Sequence, residues 1–89
     1  MRDYDTLTAA GIKAQFEKLR ENEHKTDWKD LSFEYLFNRV VDEVKELREA
    51  FEEPEVNEAG FKAIRNEAAD VANFAHMIIL KCDQKMKGE

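Results

Sequence analysis

Apolar residues recur three and four positions apart along most of the chain, and strand-like alternation persists nowhere. The pattern predicts an all-α protein with helices over about 8–22, 31–52 and 57–84. In the first, Ile12, Phe16 and Leu19 step by four and three and form one stripe for burial, with Thr6 or Thr8 as cap. Gly11 either weakens this helix or permits a close contact. The second carries Phe33, Leu36, Phe37, Val40, Val44, Leu47 and Phe51 on one face and starts near Asp30 or Ser32. Pro54 ends it, because proline cannot continue the hydrogen-bond ladder. Asn57 caps the third, whose seam Phe61, Ile64, Ala68, Val71, Ala75, Ile78 and Cys82 suits helix-on-helix packing at a shallow angle. Lys81 onward reads as a fraying end. The last two helices form a long antiparallel hairpin. One thin helix across it leaves apolar surface open, which homodimerisation or a higher oligomer (a homotetramer, for instance) closes into a bundle.

Composition narrows the class. Eighty-nine residues with three Gly and one Pro make a single domain, 1–89, with a modest core. A net charge of −6 and a pI near 5.0, without a basic block, argue against binding a nucleic acid polymer. The longest apolar run, Met77–Leu80, is far short of a membrane span. A single cysteine, Cys82, rules out an intramolecular disulfide and a cysteine-rich zinc site, and fits a reducing cytoplasm.

Twenty acidic residues would ordinarily be solvated helix surface. Two pairs stand apart. Glu43 with Glu46, and Glu67 with Asp70, are each spaced i, i+3, so each pair shares one helix face. Both pairs border the apolar stripes without pointing into the core, and the second lies beside Ala68, Ala69 and Ala72, which allow close helix approach. Four carboxylates gathered from facing helices repel one another unless a cation offsets them, and hard oxygen donors suit Mg²⁺, with Mn²⁺ as a substitute. A carboxylate-bridged di-iron site would need Glu-x-x-His on two helices, and neither His24 nor His76 falls at that spacing; His76 reads as a surface or interface residue. An EF-hand loop is missing. Arg39 overlooks the same space in projection and leads Lys45, Lys62 and Arg65 as a phosphate contact. Trp28 either folds back on the core or stacks on a ligand's base.

Glu43-Val-Lys-Glu46-Leu47-Arg-Glu-Ala50, followed by Glu67-Ala-Ala-Asp70-Val71-Ala-Asn73-Phe74, resembles the two signature blocks of the MazG-like all-α nucleoside triphosphate pyrophosphohydrolases. Lys18-Leu19 and Lys25 through Trp28 are similar to the lead-in of small single-domain members. The resemblance covers roughly residues 12–82, although Ala68-Ala69 stands where many members carry Leu-Gly. It implies a hydrolase that splits a nucleoside triphosphate, ribo- or deoxyribo-, into monophosphate and pyrophosphate. Glu43, Glu46, Glu67 and Asp70 would be its Mg²⁺-binding and catalytic acids. Asn73 matches a position near the substrate in similar proteins, and Lys25 belongs to the similar lead-in. Beside them the residues themselves offer Arg39, on projection, for a phosphate, and some of Trp28, Phe74, Phe33 and Phe37 as an apolar slot for the base. The alternatives are the same fold acting on another pyrophosphate substrate such as phosphoribosyl-ATP, and a non-catalytic helical dimerisation or adaptor module.

Overall fold

The computed structural model describes residues 4–21, 31–52 and 57–88, and these contain three α-helices and no strand: α1 (Tyr4–Glu21), α2 (Phe33–Glu52) and α3 (Glu58–Met86). Local chemistry sets several of the ends. Ser32 Oγ accepts from the Tyr35 amide at 3.0 Å and Asn57 Oδ1 from the Gly60 amide at 2.9 Å. Each satisfies a donor that the first turn leaves free. The start of α1 differs from expectation. It begins at Tyr4, with Asp5 in its first turn, so Thr6 and Thr8 lie inside the helix and cap nothing. An acid there complements the positive end of the helix. The far end of α3 also holds longer than its lysine-rich sequence suggests. It closes at Met86, with the Lys87 amide on the Asp83 and Gln84 carbonyls and Gly88 at φ +84°, a left-handed conformation that glycine accepts at little cost. Pro54 lies outside the described residues.

α3 is the hub. It packs on α2 along one flank and on α1 along another, while the backbones of α1 and α2 do not approach each other. The α2 stripe is only partly used: Leu36 is fully buried and Val40 and Leu47 half-buried, but Phe33, Phe37, Val44 and Phe51 are exposed. On α3, Ile64, Val71, Ala75 and Ile78 are half-buried, Ala69 is buried, and Phe61, Ala68 and Cys82 are exposed. The expectation for α1 is overturned. Ile12, Phe16 and Leu19 are exposed, and α1 meets α3 instead through the buried Ala14 and the half-buried Gln15 and Lys18. A small residue lets the two backbones close up, and the long polar chains beside it reach partners on α3. Gly11 is no point of close approach, since a Cβ there would meet only Gln15 Oε1 at 3.9 Å. Among the described residues no helix is long and apolar enough to cross a membrane.

Candidate metal centre

Glu43 and Glu46 occupy successive turns of α2, Glu67 and Asp70 successive turns of α3. The packing of those two helices brings one carboxylate oxygen each from Glu43, Glu46 and Glu67 within 4.8 Å of one another. The three differ in depth. Glu43 is only 4% exposed, Glu67 is half-buried, and Glu46 opens to solvent, so the cluster runs from the core to the surface. Glu43 therefore does point inward, where helical projection placed it on the flank. Its position on the border of the apolar stripe becomes an interior one because Ala69 and its neighbours let α3 come close.

Arg39 supports the deep end. Its Nη2 donates to Glu43 Oε1 at 2.6 Å, its Nη1 lies 3.4 Å from Asp42 Oδ2, and its guanidinium sits over the Phe74 ring, 5.1 Å from the centroid. That arrangement holds one Glu43 oxygen. The other, Oε2, is buried with no hydrogen-bond partner, and so is Glu67 Oε2. Orphaned buried carboxylate oxygens are rare because each costs its full desolvation. Among the described residues the relief on offer is to keep a proton. Burial above all, then the adjoining Glu46 carboxyl through hydrogen bonding and charge, and the charge of Asp70, push Glu43 up to about 7 against the opposing pull of Arg39. Glu67 is raised for similar reasons: burial first, then the charges of Glu46 and Asp70, with Lys18 opposing. The other relief is a cation, and three convergent oxygen donors with two uncommitted oxygens fit a hard divalent ion.

Asp70 stands beside the three glutamates and pairs with Lys18, whose Nζ is 3.6 Å from Asp70 Oδ2. Asn73 is not a helix-surface amide but is turned to α1. It is 6% exposed, donates from Nδ2 to the Gln15 backbone carbonyl at 3.1 Å and accepts from Gln15 Nε2 at 3.2 Å. Gln15 Nε2 also lies 2.7 Å from Nδ1 of the exposed His76. These groups border a half-open groove of about 130 Å³ lined by Leu19, Asn73, His76, Met77 and Leu80. Arg65 is engaged with Glu17 on α1 at 2.9 Å. Trp28 and Lys25 lie outside the described residues.

Sequence reasoning passed over Gln15 altogether and met Lys18 only through the family's lead-in. One signal was present: Gln15 and Lys18 flank Ala14 on one face of the first helix, a small-plus-polar surface suited to docking on a helix with polar groups of its own. Comparison with family models, curated proteins and solved structures finds no match to this chain.

Proposed function

We propose that the chain is a Mg²⁺-dependent nucleoside triphosphate pyrophosphohydrolase, cleaving a (d)NTP to (d)NMP and pyrophosphate, and working as a homodimer. The observation that carries this reading is the pair of orphaned oxygens, Glu43 Oε2 and Glu67 Oε2, inside a three-glutamate cluster. Glu43, Glu46 and Glu67 would hold the ion, with Asp70 at its edge. When bound, a divalent cation supplies charge to balance the triphosphate and acidity to a bound water. The chain's own groups do the rest. Without an ion Glu43 keeps its proton up to about 7, so the ion would have to displace that proton, and an acid not fully committed to it could take a proton from the water. Arg39, braced between Glu43 and Phe74, keeps the buried acid in place and offers positive charge to a phosphate. Glu46, exposed, lies on the side from which solvent and substrate enter. The reaction requires little covalent chemistry, so positioning and electrostatics carry most of the acceleration.

In this reading α2 and α3 run antiparallel as a hairpin, which the Lys81 ammonium over the Phe33 ring at 5.3 Å supports: the late part of α3 lies by the start of α2. The test is pyrophosphate release by the purified chain with Mg²⁺ across ribo-, deoxyribo- and modified triphosphates. Release stopped by EDTA, and lost in Glu67→Gln with helical circular dichroism intact, is the expected result. Silence across the panel, together with no change in Tm on adding Mn²⁺, would sink the reading in favour of a non-catalytic helical module.

A further inference from the structure

Lys18 stands where the acid cluster meets the first helix. Its Nζ is 3.6 Å from Asp70 Oδ2, and both side chains are 19% exposed. Its charge also reaches Glu67, whose affinity for a proton it lowers. The four acids come from α2 and α3, whereas this cation comes from α1, which packs on α3 alone. Among the described residues Arg39 is a second cation in contact with these acids, hydrogen-bonded to Glu43 at 2.6 Å and laid over Phe74. An ammonium on a flexible four-carbon stem can change partners without moving its helix.

A divalent ion held by Glu43, Glu46 and Glu67 would compete with Lys18 for the charge of Asp70. A metal-bound oligophosphate brings fresh negative charge to the same rim. We infer that Lys18 is a substrate-binding residue: its ammonium moves from Asp70 to a non-bridging phosphate oxygen of the metal-bound triphosphate. The inference rests on the metal-centre reading above and adds a residue from a third element. It carries an unusual consequence. Lys18 opposes the free ion, because both seek the same acids, yet it favours the ion together with its oligophosphate. A lysine that merely braced α1 against α3 would shift both affinities the same way.

The experiment is calorimetric titration of the full chain with Mn²⁺ alone, then with Mn²⁺ and inorganic tripolyphosphate, which needs no knowledge of the base. Lys18→Met should bind Mn²⁺ several-fold tighter and the Mn²⁺–tripolyphosphate pair at least tenfold more weakly, while Lys18→Arg stays near the native chain in both. Should Lys18→Met lose helical content, Lys18→Gln, polar but uncharged, must give the same split. A parallel loss of both affinities, or unchanged tripolyphosphate binding, overturns the inference alone. A native chain that binds no Mn²⁺ overturns the metal centre and the inference with it.

Discussion

Glu43 has one oxygen on Arg39 and the other on nothing, and almost no exposed surface, so its ionised form is a charge that this fold tolerates poorly. The consequence is a pH dependence with a definite sign. Its folded value is about 7 against an ordinary 4.5, so the folded chain holds a proton that the unfolded chain releases. The resulting stability is complete below about pH 4.5 and is lost as pH rises through about 7. We expect the metal-free chain to melt about 10 °C lower at pH 8 than at pH 5 from this group. Glu43→Gln should flatten that slope and raise the Tm at pH 8, since a neutral amide can still accept from Arg39. The same variant should lose at least about 100-fold in Mg²⁺-dependent turnover, in line with removing a transition-state group. Thermal melts from pH 4 to 9, beside pyrophosphate assays, separate the two effects; an unchanged slope would remove Glu43 from the account. Added Mn²⁺ should raise the Tm more at pH 8 than at pH 5, because protons compete with the ion for the same oxygens. Much of this was legible in the chain. The i, i+3 spacing of Glu43 and Glu46, and of Glu67 and Asp70, fixes which face each acid occupies. The diversion of Asp70 toward Lys18 was not, because spacing within α3 says nothing of which α1 residue docks there.

Between elements, the α1–α3 contact is built mainly from polar pairs: Gln15 with Asn73, Lys18 with Asp70, and Glu17 with Arg65. The last is exposed on both sides, and such pairs contribute little. The buried Asn73 amide, which donates to the Gln15 carbonyl and accepts from its side chain, is the stronger tie. Asn73→Ala should cost about 1–2 kcal/mol and speed hydrogen exchange of α1 amides while leaving α2 amides protected. Equal acceleration in both helices would mean that α1 and α2 open as one unit, against the absence of backbone contact between them. The element boundaries show which signals travel well from sequence. Ser32 and Asn57 cap where their chemistry places them, because capping is decided within four residues. The docking face of α1 did not travel. The spacing of Ile12, Phe16 and Leu19 reports that this face is suited to burial, and that periodicity is silent about which surface covers it.

At the scale of the whole molecule, the chain has more surface than its mass should show. It exposes 7045 Å², where a self-sufficient monomer of 10.4 kDa is expected to expose about 5,400 Å². Its radius of gyration is 14.6 Å, against about 12 Å for a compact chain of this length. Large apolar side chains stay open on every helix. Ile12 and Phe16 on α1, Phe37 and Phe51 on α2, and Phe61 and Ile79 on α3 are each more than half exposed, while among the described residues only Ala14, Leu36 and Ala69 are buried apolar residues. Covering these side chains on each of two copies would give an apolar interface of the obligate-homodimer kind. A second copy is the partner always present in equal amount, and it would give the α1 stripe the cover that α3 does not. Sedimentation velocity should find twice the chain mass at micromolar concentration, and Phe37→Glu, a charge placed on that apolar surface, should shift the species toward monomer with a loss of helical signal. The coupling of dissociation to unfolding is the discriminating part, because the few small or medium apolar side chains buried among the described residues cannot offset the chain entropy of three helices. A stable, fully helical monomer in either protein would show that the exposed apolar face serves something other than self-association.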